Sequence, residues 1–193
     1  MQSFSLGLVT PRNFTITGAS NATPIVITTA ANTFVSGDVV TVKSVVGNTA
    51  ANGTWYAAVL SPTTLQLYSD VNRQHGAIGN GAYLSGGIIS APTELSLAAN
   101  DPQQGILGSE VCKILFAPAA GVSATGVLYV GIAGLNQLTL ANVLRTLNPP
   151  SSTGLMDYWE LDLDGTNVMN LTTYWVDAAN AGSEGVVVSY ARR

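Results

Sequence analysis

TFVSGDVVTVKSVVGNTAANGTWYAAVLSPTTLQLY, residues Thr33 to Tyr68, decides how the chain is read. Val40, Val42 and Val46 lie an even number of residues apart, and apolar alternation resumes from Trp55 to Val59 and from Leu65 to Leu67. A period of two puts every second side chain on the same face of a strand. The breaks carry turn chemistry. Gly37-Asp38 and Asn52-Gly53 tolerate positive φ, and Ser61-Pro62 presets a turn ahead of Thr63-Thr64. The stretch is expected to form three consecutive antiparallel strands, the heart of a small β-meander or barrel. No side chain in it is equipped for catalysis.

Upstream, Phe14-Thr15-Ile16-Thr17 alternates, Gly18 to Pro24 interrupts, and Ile25 to Thr29 is β-branched throughout and reads as a strand. Residues 1 to 13 read as an extended N-terminal arm without a compact partner, and its Phe4, Leu6, Leu8 and Val9 are candidate interface residues. Downstream, VNRQHGAIGNGAYLSGG holds too many glycines for a regular element and suits a protruding loop, with a short strand around Ala82-Tyr83-Leu84. Pro92, within Ile88 to Thr93, marks a boundary. Beyond it, Glu94 to Ala98, Val111 to Ala117, Val127 to Ala133, Tyr158 to Leu163, Leu171 to Asp177 and Val186 to Ala191 are strand candidates. Six short strands with such punctuation suit a jelly-roll-like β-sandwich. Leu140, Val143, Leu144 and Leu147 have helical spacing and predict a short helix. The expected fold is all-β: an arm over 1–13, a small β-barrel or meander domain over 14–88, then a β-sandwich domain over 94–193.

Composition narrows the function. Charged residues make up 9% of the 193, against about 25% in ordinary soluble domains. The surface must be mostly neutral, which favours assembly. Net charge is −4, carried by the second half, where Asp157, Glu160, Asp162 and Asp164 crowd together. Nucleic acid is not an expected partner, because phosphate binding needs a basic face and the only cluster is Arg192-Arg193. No membrane span is expected: the longest apolar run, Val127 to Leu135, is broken by Gly131 and Gly134 and falls short of about 20 residues. The start MQSFSLGLVTPRN lacks the basic and apolar regions of a secretion signal. Cys112, alone in VCKILFA, reads as a small core residue.

Each chemical motif has a plainer reading. Asp162-Leu163-Asp164-Gly165-Thr166-Asn167 resembles the start of a calcium loop, but Thr173 stands where a bidentate Glu belongs, and Asp-Gly is also a hairpin signal. Glu160 and Asp162 share a strand face while Asp157 faces away, which suits a solvated acidic strand edge better than the paired carboxylates of a glycosidase. Trp55 and Trp175 read as buried anchors of β cores rather than, with Trp159 and the tyrosines, a sugar platform. Ser-His-Asp hydrolysis would rest on His75 alone, with no GxSxG elbow. The Asn-x-Thr triplets at Asn13, Asn21, Asn52 and Asn170 are what an Asn- and Thr-rich chain yields by chance. No catalytic residue, metal ligand or cofactor is assigned.

Ser36-Gly37-Asp38-Val39-Val40, Asn52-Gly53-Thr54-Trp55, Thr63-Thr64-Leu65-Gln66-Leu67, and Gly81-Ala82-Tyr83 with Gly86-Gly87 occur in an order and spacing that resembles a repeat in tail and head proteins of tailed bacteriophages. That repeat is described as similar to the first catalytic cysteine half-domain of ubiquitin-activating enzymes. It implies no ubiquitin chemistry, because those enzymes keep their catalytic cysteine outside the half-domain and residues 14 to 88 contain none. GVLYVGIAGLNQLTLANVLRTLNPP and GVVVSYARR resemble the C-terminal domain of phage structural proteins. The resemblance implies a non-enzymatic virion protein, foremost a capsid decoration (cement) protein, with a tail, neck or fibre component as the close variant. A carbohydrate-binding adhesion module and an enzyme are the other classes. The expected partners are further copies of the chain, with a trimer suiting a threefold position, and the major capsid protein or other virion proteins.

Overall fold

The computed structural model describes residues 2–9, 12–95, 110–118, 127–148, 157–163, 169–179 and 186–192. It is all-β, and the only helical segments among these residues are two 3-10 turns, Thr49–Ala51 and Leu171–Thr173. The chain divides into two compact units, Arg12–Ala91 and a second one formed by Met1–Pro11 together with Pro92–Arg193.

Strand β1 (Gln2–Val9) precedes the first unit, which consists of β2 (Arg12–Ala19), β3 (Val26–Thr29), β4 (Val39–Lys43), β5 (Gly53–Ser61), β6 (Thr64–Tyr68) and β7 (Ile88–Ala91). They close a six-stranded antiparallel barrel in the order β2-β3-β6-β5-β4-β7. The meander β4-β5-β6 is the one that the alternation of residues 33–68 predicts. Ile88 to Ala91, expected in the connection, is instead the closing strand: Ile89 pairs with Phe14 on one side and Val42 on the other. Closure leaves no unpaired edge to attract other chains. Ile27, Val40, Val42, Ala57, Leu65, Leu67 and Ile89 are fully buried, and burial of each larger aliphatic side chain contributes about 1.5–3 kcal/mol. Arg12 donates to both carboxylate oxygens of Asp38, at 2.7 and 3.3 Å. Its guanidinium lies 5.9 Å from the ring centre of Phe34, which meets Phe14 edge-on at 5.1 Å.

The glycine-rich stretch 76–87 does not protrude. It is bonded down onto the barrel: the Ala77 amide donates to Leu67 O and the Ile25 amide to Ala77 O, both at 2.9 Å. A Cβ at Gly76 would lie 2.8 Å from Pro24 Cβ, and one at Gly87 would lie 2.7 Å from Val45 Cγ2. The glycines therefore mark close approach rather than exposure. Asn48, fully buried, donates to Ser20 O at 2.8 Å and accepts from the Asn80 amide at 3.1 Å, pinning the stretch at its middle. Tyr83 locks the far end through its hydroxyl, which donates to Ile16 O and Gly86 O, each at 3.0 Å.

The second unit continues with β8 (Thr93–Glu94), β9 (Glu110–Val111), β10 (Lys113–Pro118), β11 (Leu128–Ile132), β12 (Val143–Leu147), β13 (Trp159–Asp162), β14 (Met169–Asn170), β15 (Tyr174–Ala178) and β16 (Val186–Arg192). Two four-stranded antiparallel sheets run β1-β16-β10-β13 and β12-β11-β15-β8, with a small pair β14-β9. With that pair set aside, eight strands remain. The first pairs with the eighth, the second with the seventh, the third with the sixth and the fourth with the fifth. This nesting is the signature of a jelly roll, a long hairpin wound into two sheets. Ile114, Phe116, Val186, Val188 and Tyr190 of one sheet and Leu128, Val130, Leu147, Val176 and Ala178 of the other form one core. Phe116 stacks on Trp159 at 5.3 Å and meets Tyr174 of the opposite sheet at 5.9 Å.

Several expectations need correction. The N-terminal segment is not a partnerless arm: β1 pairs with β16 from Gln2↔Arg192 to Val9↔Val186 and completes the first sheet. The barrel does not simply precede the sandwich but is inserted between its first and second strands. The predicted helix is β12, because Leu140 takes a left-handed turn at φ 58° and Leu144 falls in a bulge where the register slips. Trp55 and Trp175 are half-buried rather than fully buried anchors. Trp55 packs against the barrel core and donates from Nε1 to Ala51 O at 2.8 Å. The Asp164-Gly165 hairpin signal and Glu94 to Ala98 beyond Leu95 lie outside the described residues.

Candidate functional site

Phe4, Leu6, Leu8 and Val9 all lie on β1. Leu6 and Val9 pack against the jelly-roll core, so two of the four expected contact residues hold this unit's own sheet in place. The backbones of Phe4 and Leu8 pair with Tyr190 and Val187.

The acidic residues are dispersed by geometry. Glu160 and Asp162 share the outer face of β13, and both contact Lys113 Nζ, at 3.0 and 3.3 Å. Their hydrogen bonds, Glu160 first, push the lysine pKa up. Asp157 instead accepts from the Asn148 amide at 3.2 Å and lies 3.6 Å from Arg145. Among the described residues no group of three or more His, Cys, Asp or Glu side chains is arranged to hold a metal ion, and no helix is long and apolar enough to cross a membrane. His75 sits in an exposed barrel loop, its ring Nδ1 3.2 Å from Asp70. Cys112 is buried, with Sγ donating to Ala191 O at 3.3 Å.

Two surfaces of the jelly roll went unnoticed in the sequence. On the outer face of the first sheet, Lys113, Leu115 and Ser189 alternate with the buried Ile114, Phe116, Val188 and Tyr190. Together with Tyr190 and Ala191 they line a recess of about 130 Å³. The second surface is the loop from Ala133 to Asn142, joining β11 to β12. Its foot is Gln137, buried, whose Nε2 donates to Asp177 Oδ2 at 3.1 Å. Asp177 is 1% exposed although it lies on the outer side of β15, opposite Tyr129. Burial, with the Asp177 charge adding to it, pushes the Tyr129 phenol up.

No protein-family model matches the chain, and no curated protein matches its sequence. The site is therefore defined by its own geometry. The loop is braced internally: Asn136 Oδ1 accepts from the Leu138 and Thr139 amides at 2.9 and 3.1 Å, and Asn142 Nδ2 donates to Ala133 O at 2.9 Å. Gly131 permits it, since a Cβ there would run into Asn142 O and Leu135. The brace holds Leu138 and Leu140 at the tip, 46% and 57% exposed. Such an arrangement can make contacts; nothing in it transfers a group. The sequence offered one overlooked signal, the absence of any charge from Gly131 to Leu144.

Proposed function

We propose that this chain is a non-enzymatic structural protein of a tailed-bacteriophage virion, a decoration protein that binds the capsid surface as a homo-oligomer and stabilises the head through the major capsid protein. The observation that carries the reading is the nested jelly roll, an architecture that recurs in viral capsid proteins, interrupted by a barrel carrying the phage-repeat motifs. Fold analogy is an associational argument. Among the described residues charged side chains are spread over separate ion pairs, His75 with Asp70, Glu160 and Asp162 with Lys113, and Asp157 with Arg145. The surface, poor in charge, suits contact with other chains.

The test uses heads of the parent phage that lack this protein. Purified chain should co-sediment with them and raise their resistance to heat. Failure to bind heads overturns the reading, and binding to tails alone moves the assignment to a tail, neck or fibre component. A carbohydrate-binding reading has one observation in its favour. Tyr56 and Tyr68 are cross-strand neighbours on the barrel's outer face, with the Tyr68 hydroxyl donating to Gln66 Oε1 at 3.0 Å. Retention on a glycan column that Tyr68→Ala abolishes would favour it.

A further inference from the structure

We propose that copies of this chain join head to tail through the jelly roll, with Leu140 of one copy seated in the recess lined by Lys113, Leu115, Ser189 and Ala191 of the next. The inference deepens the homo-oligomer in the proposed function and rests on that reading for the partner being a second copy.

The two surfaces match in size. The recess holds about 130 Å³, and cavities of about 150 Å³ accept a benzene-sized guest, so an isobutyl group fits. They match in chemistry. Lys113, the one cation among the described residues that line the recess, is already held by Glu160 and Asp162, and the loop that would enter carries no charge from Gly131 to Leu144. They are placed to propagate. The recess opens on the outer face of β10 and β16, whereas Gln137 anchors the loop over Asp177 on the outer face of the opposite sheet. A knob on one face and a hole on the other form a heterologous contact, which closes into a ring when the rotation permits.

Light scattering coupled to size exclusion, at micromolar concentration, reads the outcome. The full-length chain should run as a multimer, and Leu140→Asp and Ser189→Trp, one removing the knob and the other filling the hole, should each run as a folded monomer with the parent's β circular dichroism and a melting temperature that no longer depends on concentration. In a Cys112→Ala background, Leu140→Cys combined with Ser189→Cys should oxidise to covalent multimers, while neither single cysteine should extend beyond a dimer. That cross-link decides the matter if either substitution impairs folding. A monomeric wild type, a multimer untouched by one or both substitutions, or no ladder from the double cysteine overturns the inference. A monomer that still binds heads would sink the contact and spare the decoration role; a multimer that ignores heads would do the reverse.

Discussion

Asp70 shows how one carboxylate can organise a loop whose apolar residue, Val71, is exposed rather than packed. Its Oδ2 accepts from the His75 amide at 2.7 Å, its two oxygens accept from the Gln74 amide at 3.2 and 3.1 Å, and Oδ2 lies 3.2 Å from His75 Nδ1. The His75 amide is the main cause holding this carboxyl below its ordinary range, with Gln74 and the imidazole adding to it against a smaller opposing effect of desolvation. A depressed folded pKa means that the stabilisation is present above the unfolded carboxylate value and is lost as pH falls through the folded one. Amide protection of Gln74 and His75 should therefore be full at neutral pH, begin to decline as pH falls through the ordinary carboxylate range, and be lost in stronger acid. Asp70→Asn should lower that protection already at neutral pH. Equal protection in the variant, followed by NMR hydrogen exchange, would show that the loop owes nothing to the charge.

At the scale of elements, the glycine-rich stretch 76–87 is a strap over the barrel, pinned by a polar side chain. Asn48→Ala would remove the partners of Ser20 O and of the Asn80 amide, two part-buried hydrogen bonds. Each is worth about 0.5–1.5 kcal/mol net, so denaturant unfolding should show the barrel weakened by about 1–3 kcal/mol, with proteolysis starting inside 76–87. A variant as stable as the parent would mean that the strap is held elsewhere. The same elements show what a sequence can and cannot convey. Residues 33–68 were legible because strand alternation is local, and β10, β11 and β16 were legible because each carries a run of apolar residues. The strap was not, since it packs through backbone that leaves no apolar pattern. Strand β12 was misread because a bulge at Leu144 and a left-handed turn at Leu140 mimic helical spacing. The recess was invisible, for it depends on β10 and β16, strands that meet only in the folded sheet, whereas the loop between β11 and β12 showed in sequence only as a stretch without charge.

At the scale of the molecule, β1 belongs to a unit whose other strands come after the barrel in sequence. Removing residues 1–9 strips Leu6 and Val9 from the jelly-roll core and bares one side of β16. Calorimetry should resolve two transitions, and the truncation should lower the jelly-roll transition while leaving that of the barrel in place; a shift in neither would mean that β1 is dispensable. The pairing of β1 with β16 also sets an order of events during biosynthesis. Chains leave the ribosome amino end first and fold domain by domain. The barrel can finish once Ala91 has emerged, whereas β1, made before the barrel, pairs with β16 only when residues 186–192 arrive. A polypeptide released before that point carries a complete barrel and a sandwich that cannot shut, so closing of the second unit is tied to translation having reached β16.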